Sequence, residues 1–192
     1  MIALAKLPIR MTVQEFLNWE PGDHLRYELV DGIPRAMAPA SPAHGLLQGE
    51  LARLLGNHLR SRGMDCDVIV EPGIVPKLLS AHNVRVPDLA VTCSPLAANR
   101  SVLPDPVLIV EILSPSNQAE TWTNVWAYTT IPSVQEILIL RSDRVAAELL
   151  RRSADQAWPE QTIAISEGLL VLESLGFRVP LAELYARVPG LA

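Results

Sequence analysis

The stretch VLIVEIL, residues 107–113, decides which fold this chain can adopt. All but one of its residues are apolar, and such an unbroken run is typical of a strand that is covered on both faces of a sheet. A helical pattern follows it over residues 119–129. Further strand patterns occupy residues 67–75, 84–92, 134–140 and 144–150. This order of elements predicts a mixed central sheet flanked by helices, in an α/β domain that borders on α+β.

A long amphipathic helix is predicted to begin after Ser41, which suits the N-cap position ahead of Pro42 in the first turn. Gly63 is expected to end it. Its apolar face, read at helical spacing, consists of Ala43, Leu47, Leu51, Leu54 and His58. On that face His58 is expected to be a core histidine whose polar atoms are satisfied.

Smaller elements are predicted on both sides of these. A capping box of Thr12 and Glu15 indicates a short helix, and Asp31-Gly32 indicates a hairpin turn between residues 25–30 and 33–37. The C-terminal patterns are a weak strand pair around Ile163 and Leu170 and a short helix over Leu181–Tyr185. The apolar segment 168–185 is expected either to close the core or to form a dimer interface.

The composition agrees with one folded domain. The chain has 192 residues, of which 49% are apolar and 19% charged, and this excludes a disordered chain. We expect a tail over residues 1–11 and a single domain over residues 12–192. The net charge of −5 argues against a nonspecific polyanion binder, but not against an enzyme that meets phosphate through a metal. No apolar run suits a membrane span or a secretory leader, so a cytoplasmic location is expected.

The two cysteines, Cys66 and Cys93, lie in separate strand patterns and lack the spacing of metal ligands. A zinc site is therefore not expected. Two reduced, buried thiols are the favoured interpretation for a cytosolic protein, with a disulfide as the open alternative.

Glu111 is the one charged residue of the central strand pattern. A buried carboxylate has to be protonated, paired or bound to a metal. Asp88 belongs to the preceding strand pattern, so in neighbouring strands the two carboxylates could project on one side and repel each other. A divalent cation would remove that repulsion, and Mg²⁺ is commonly held by one or two carboxylates. The alternative is an ion pair between Glu111 and an arginine such as Arg85.

Two further residues are candidates for the same site. Glu28, in the first hairpin strand, could be a third metal ligand or a purely structural group. His44, near the start of the long helix, could orient a ligand or contact phosphate, or it could be a polar boundary residue. Residue type and spacing leave both pairs of alternatives open.

Several motifs resemble one known family. They are YELVDGIPRAMAPASPAH (27–44), VRVPDLAV (84–91), VEILSPSN (110–117) and a helix that ends in Tyr128. Together they resemble the Uma-type "putative restriction endonuclease" family, a branch of the PD-(D/E)xK nuclease superfamily. The resemblance covers about residues 12–140.

The resemblance implies a restriction-endonuclease-like fold and a Mg²⁺-dependent (or Mn²⁺-dependent) attack of water on a phosphodiester bond of nucleic acid, with DNA expected. Position by position, it implies that Asp88 and Glu111 are the metal ligands and that Glu28 and His44 are accessory catalytic residues. By analogy with the superfamily, a homodimer is the expected assembly. Metal-bound water is a strong nucleophile because the cation lowers its pKa.

The sequence departs from the family pattern at the catalytic lysine. The superfamily has this lysine two residues after the glutamate, where this chain has Leu113. Uma-type proteins usually have it four residues before the tyrosine, where this chain has Asn124. An asparagine can orient a water but supplies no positive charge. Lys77 or Arg85 could supply the cation instead.

The helix that contains Asn124 is predicted to be capped by Asn117 and Glu120. Its core stripe is predicted to be Trp122, Val125 and Trp126. Its opposite side is predicted to carry Glu120, Asn124 and Tyr128.

Two functions therefore remain after the sequence alone, beside a third possibility, a plain structural protein in which these acids are satisfied by arginines. One is a metal-dependent nuclease that uses Asp88 and Glu111. The other is a catalytically impaired nuclease-fold module that acts in binding or assembly, as the missing lysine would favour. The candidate phosphate contacts are Arg53, Arg60 and Arg62, which could equally be a solvated helix face.

Overall fold

The computed structural model describes residues 10–98, 100–115 and 118–191. Most of the predicted tail, residues 1–9, lies outside the described residues, and so does Asn117 of the predicted capping box. Met11, placed in the tail by the sequence, donates a backbone hydrogen bond to the carbonyl of Gly32 at 2.7 Å.

The described part of the chain contains four α-helices, one 3-10 helix and ten strands. The helices are α1 (Val13–Leu17), α2 (Pro42–Ser61), α3 (Gln118–Tyr128) and α4 (Leu181–Tyr185), with a 3-10 helix at Glu173–Leu175. The first strands are β1 (Tyr27–Val30), β2 (Ile33–Ala36), β3 (Asp67–Val70), β4 (Leu89–Thr92) and β5 (Pro106–Leu113). The later strands are β6 (Glu136–Arg141), β7 (Ala147–Arg151), β8 (Ile163–Ile165), β9 (Leu169–Leu172) and β10 (Phe177–Pro180).

Six of these strands form one mixed sheet in the order β3-β4-β5-β6-β7-β8. β5 runs parallel to β6, and the other pairs are antiparallel. The α3 crossover makes this parallel pair possible, since parallel neighbours cannot be joined by a tight turn. The predicted α/β class, a mixed central sheet flanked by helices, is confirmed.

The sheet has an apolar cluster on each face because side chains alternate along a strand. Leu108, Val110 and Ile112 of β5 face the cluster built with α2, α4 and the β9–β10 hairpin. Ile109 and Leu113 face the cluster built with α3. Glu111 lies midway between Ile109 and Leu113 in the strand, so its side chain points to the same face as theirs, the α3 face.

The predicted β1–β2 hairpin is present and turns at Asp31 and Gly32, whose φ angles are 50° and 82°. A Cβ at Gly32 would lie 2.9 Å from the Cβ of Arg10, so the turn needs glycine for space as well as for its backbone conformation. Leu29 exchanges backbone hydrogen bonds with Val84 at 2.8 and 3.0 Å. These bonds attach the hairpin to the segment that precedes β4.

Three strand predictions are wrong in detail. The strand predicted over residues 67–75 ends at Val70, and the next residue, Glu71, has a φ of 49°. The pattern over residues 84–92 is a regular strand only from Leu89, because Pro87 has no N–H to donate to a ladder. The expected pairing of the Ile163 and Leu170 strands is absent: β8 pairs with β7, whereas β9 pairs with β10. The Gly168 turn at φ 78° directs the chain away from β8.

The buried stripe of α2 is rotated slightly from its prediction. Leu47, Leu51, Leu55 and Leu59 are buried, whereas the predicted Leu54 is only partly buried. His58 is satisfied, as predicted, with its Nε2 2.9 Å from the Leu175 carbonyl oxygen.

The apolar C-terminal segment closes the core of its own chain. Leu170, Leu172, Phe177 and Leu184 are buried in the cluster under α2. The first of the two alternatives predicted for residues 168–185 is therefore the one that the structure shows.

The prediction of two reduced, buried thiols is wrong, because Cys66 and Cys93 form a disulfide. The register pairs Asp67 with Thr92, so the residues just beyond them face each other, and their Cα atoms are 4.0 Å apart. Cys93 is also exposed rather than buried.

None of the helices in the described ranges is both long and apolar enough to cross a membrane.

Candidate functional site

The inner face of α3 differs from its prediction. Trp126, predicted to be core, is 50% exposed, whereas Asn124 and Tyr128, predicted to lie on the opposite side, are buried. Val125 is buried and Trp122 packs against the same apolar cluster, as predicted. The other three residues depart from the prediction because the sheet under α3 carries Glu111. A buried carboxyl needs polar partners, and α3 provides them by turning its amide and hydroxyl side chains inward.

The register of the sheet brings Asp88 and Glu111 together. Leu89 pairs with Val110 across the antiparallel β4–β5 pair, so Asp88, one residue earlier, lies beside Glu111. The predicted juxtaposition of the two carboxyl groups is therefore present. Asp88 sits just after Pro87, where the chain enters β4, and so it lies at the open end of the strand pair.

Asp88 is held in place through both carboxylate oxygens. Oδ1 lies 2.7 Å from Nε2 of His44, and Oδ2 accepts a hydrogen bond from the backbone N–H of Ile112 at 2.6 Å. The Gln48 side chain donates to the Asp88 carbonyl at 3.0 Å. His44 and Gln48 are one turn apart on α2. The N-terminal end of α2, capped by Ser41, therefore positions the Asp88 carboxylate.

Glu111 is 7% exposed, and burial raises its pKa well above the usual range. The nearby charge of Asp88 raises this pKa further, and Glu28 adds to the effect. The Tyr128 hydroxyl opposes both by donating a hydrogen bond to Oε1 at 2.8 Å. In the protein alone, the two neighbouring carboxyl groups therefore disfavour the charged form of Glu111.

Glu28 is buried and has a charged partner, Arg85, with Oε1 and Nη1 3.6 Å apart. Burial raises the pKa of Glu28, while the Arg85 charge and the Asn124 side chain lower it. The arginine suggested as a partner of Glu111 thus pairs with Glu28, and the described hydrogen-bond partner of Glu111 is Tyr128.

One cavity of about 610 Å³ joins these groups. Its walls contain all the predicted site residues: Glu28, His44, Asp88, Glu111 and Asn124. The loop over residues 36–41 forms a mostly apolar wall across from α3. The structure thus brings the five predicted residues together in one cavity, and that they form a functional site stays a prediction.

Three residues around this cavity, Gln48, Arg26 and Glu71, were not predicted from the sequence. Tyr128 was indicated, but its contact with Glu111 was not. Gln48 had a detectable signal, since it follows His44 by four residues on one helix face. The contact between Arg26 and Glu71 joins distant segments, and no local pattern indicates it.

The cations proposed as substitutes for the missing lysine do not line the cavity. Arg85 is buried beside Glu28, and Lys77 lies in an exposed segment. Among the described lining residues, Arg26 is the only lysine or arginine. Arg53, part of the predicted basic cluster, pairs instead with Glu50 on the surface of α2.

The donor set of the cavity fits a magnesium ion better than a transition metal. Across the described ranges, no group of three or more His, Cys, Asp and Glu side chains is arranged to hold a metal. Mg²⁺ does not need such a cage, because one or two carboxylates suffice when water and substrate phosphate complete its shell. Asp88 and Glu111 form such a pair, and a cation between them would offset the repulsion that raises the pKa of Glu111.

Comparison with known proteins bears on the fold and on the family of this chain. A crystal structure described as "a putative nuclease belonging to DUF820", from Anabaena variabilis ATCC 29413, has a similar fold, with a TM-score of 0.72. The two chains are 18% identical, and the match covers 92% of this chain and 98% of that one.

The family model Uma2, described as "Putative restriction endonuclease", matches residues 13–182, and the chain belongs to this family. The resemblance that the motifs indicated is thus confirmed. Among curated proteins, the "Uncharacterized protein slr1290" of Synechocystis sp. (strain ATCC 27184 / PCC 6803 / Kazusa) is 29% identical over 178 residues, which is 92% of each chain.

Proposed function

We propose that this protein is a Mg²⁺-dependent nuclease that hydrolyses phosphodiester bonds of DNA. The observation that carries the proposal is the Asp88–Glu111 pair, fixed side by side in an open cavity of a nuclease-family fold. Mg²⁺ or Mn²⁺ held by the pair would lower the pKa of a coordinated water and shield the charge of the phosphate.

The residues of the chain would divide the work. His44 and the Ile112 N–H fix the orientation of the Asp88 carboxylate, so it need not reorganise when a ligand arrives. The Tyr128 hydroxyl donates a hydrogen bond to Oε1 of Glu111 and so fixes the orientation of that carboxyl group. Glu28, paired with Arg85, adds negative charge to the wall of the cavity.

The cavity carries more acidic than basic side chains, so the proposed reaction would need a metal. Glu28, Glu71, Asp88, Glu111 and Glu120 all line it. Arg26 also lines it but is engaged by Glu71. A phosphodiester would be repelled from such a surface unless a divalent cation changed its sign.

A cleavage assay tests the proposal. Plasmid DNA and labelled single-stranded DNA and RNA are incubated with the protein in Mg²⁺, in Mn²⁺ and in EDTA. We expect cleavage of DNA with metal only, and a loss of about 100-fold or more in the D88N and E111Q variants. The exposed Glu160 lies outside the cavity, so E160Q is the control and should cleave like the parent.

A second function is favoured by one observation, the asparagine at the position of the family lysine. In a catalytically impaired module, the parent would bind nucleic acid in the presence of metal but leave it intact. That result in the same assay, with binding followed by fluorescence anisotropy, would replace the nuclease proposal with a binding or assembly role.

We also propose that two copies pair, since two sites suit cleavage of two strands. Sedimentation of the protein with and without a DNA duplex tests this. A monomer under both conditions would contradict it.

A further inference from the structure

Asn124 has a polar atom that the described chain does not satisfy. The residue is 8% exposed and lies on the inner face of α3, and it lines the cavity. Its Oδ1 is buried and has no hydrogen-bond partner among the described residues. Leaving a buried acceptor unpaired costs about 1–3 kcal/mol, so such an atom calls for an explanation.

The orientation of the Asn124 amide follows from its neighbour. Hydrogen bonding by Asn124 lowers the pKa of Glu28, and a carboxylate can only accept hydrogen bonds. The amide nitrogen is therefore the group directed to Glu28. The carbonyl oxygen is the end that is left without a partner among the described residues.

The surroundings restrict what could approach that oxygen. Glu28 and Glu111 contribute acceptors, and Asp88 adds more, so another acceptor would be repelled. Asn124 and Tyr128 are one helical turn apart, and Tyr128 donates to Glu111 at 2.8 Å. The Asn124 side chain thus shares the helix face that contacts Glu111. An amide oxygen on such a face is a hard ligand of the kind that Mg²⁺ and Mn²⁺ accept.

We propose that Asn124 Oδ1 is a third, neutral oxygen ligand of the divalent cation that Asp88 and Glu111 hold. This inference rests on the proposed function and gives the departure from the family pattern a chemical meaning. A lysine at this position supplies positive charge but no ligand, whereas asparagine offers a neutral oxygen. The site is therefore built to bind its metal before any nucleic acid arrives.

Calorimetric titration of Mn²⁺ tests the inference without any substrate. The parent is compared with N124L, N124D and the double variant D88A/E111A. We expect saturable binding by the parent, no binding by the double variant and affinity lower by about tenfold or more in N124L. N124D keeps the oxygen and adds a charge, so it should bind at least as tightly as the parent.

The matched control is T121V, since Thr121 lies on the same helix, is 5% exposed and lines the same cavity. Its affinity should equal that of the parent. Thermal melting in EDTA checks that N124L and T121V still fold, since N124L removes both the unsatisfied oxygen and the amide nitrogen directed to Glu28.

The outcomes separate the two claims. Equal Mn²⁺ affinity in N124L and the parent would overturn the role of Asn124 and leave the Asp88–Glu111 site standing. A lower affinity in N124D would overturn that role as well, even if N124L failed to fold. If the parent itself does not bind Mn²⁺, both the role of Asn124 and the claim that the site binds metal before nucleic acid are wrong. The nuclease proposal is then tested by the cleavage assay alone.

Discussion

At the scale of single residues, Tyr128 and Glu111 show how one hydroxyl supports a buried carboxyl. Tyr128 is fully buried, and burial and the charge of Glu111 raise its pKa well above the usual range. The hydroxyl therefore stays protonated and donates to Oε1 of Glu111. This donor is the described group that favours the charged form of Glu111 before a cation binds.

The Y128F variant should lower the free energy of unfolding by about 1–3 kcal/mol, because it leaves a buried acceptor without its donor. Urea denaturation in EDTA measures the change. Tyr27 donates to Asp23 in a more exposed setting, so Y27F is the matched control and should lose less. Equal losses in the two variants would contradict a special role for the Tyr128 bond.

Glu111 also predicts a pH dependence of stability. Its pKa in the folded protein is raised, so the folded and unfolded states are both protonated below about pH 4.3 and the group then has no adverse effect. As the pH rises from there toward the folded pKa, the unfolded state ionises first, and stability is lost.

The E111Q variant cannot ionise, so it should escape this loss. We expect the free energy of unfolding of E111Q, measured with urea and without metal, to exceed that of the parent by an amount that grows from pH 4.5 to pH 8. E160Q should show no such trend. A difference in the free energy of unfolding that stays constant with pH would show that ionisation of Glu111 does not destabilise the fold.

At the scale of elements, strands and turns followed from the sequence more closely than helix faces did. The β5 run, the Asp31-Gly32 turn and the Thr12 capping box formed as predicted, since each depends on neighbouring residues. The inner face of α3 did not, because polar residues were drawn inward by Glu28 and Glu111, which lie far away in sequence. Local patterns do not include such partners.

The candidate site shows the same division. Asp88 and Glu111 were predictable because the charge of Glu111 interrupts an apolar strand and the two strand patterns could be neighbours. The pairing of Arg85 with Glu28 was not, because it depends on the hairpin docking through Leu29 and Val84. The disulfide was only the less favoured alternative, since its geometry arises only from the β3–β4 register.

The disulfide at the β3–β4 edge should contribute to the stability of the protein but not to metal binding. The bond joins residues 27 apart in sequence, and its removal in C66S/C93S should lower the free energy of unfolding by about 2–4 kcal/mol. Cys93 follows β4 at the end opposite Asp88, so Mn²⁺ affinity should be unchanged. The parent in reducing agent should match the variant. A parent whose stability ignores reducing agent would contradict a structural contribution from this bond.

At the scale of the whole molecule, the two apolar clusters belong to one cooperative unit. β5 and β6 contribute alternate side chains to both clusters, so neither can come apart without exposing the other. We expect tryptophan fluorescence and far-ultraviolet circular dichroism to report a single urea transition with one midpoint. Two separated midpoints would contradict the single domain predicted for residues 12–192.

A core substitution sharpens this test. Leu51 is fully buried in the α2 cluster, and L51A should lower the free energy of unfolding by about 2–5 kcal/mol. If the protein unfolds as a single unit, the midpoints reported by fluorescence and by circular dichroism shift by the same amount. L54A, at a partly buried neighbour, is the control and should shift both probes less.

The molecule holds a second buried carboxylate, and the contrast with Glu111 has an evolutionary consequence. Glu136, 1% exposed, is satisfied by its own chain: Arg151 lies 2.7 Å away, and the backbone N–H groups of Glu173 and Ser174 donate to it. Folding itself selects for Glu136, whereas under the proposed function metal binding selects for Glu111. A lineage that lost this function would gain stability by replacing Glu111 with an uncharged residue, while Glu136 would still contribute to the fold.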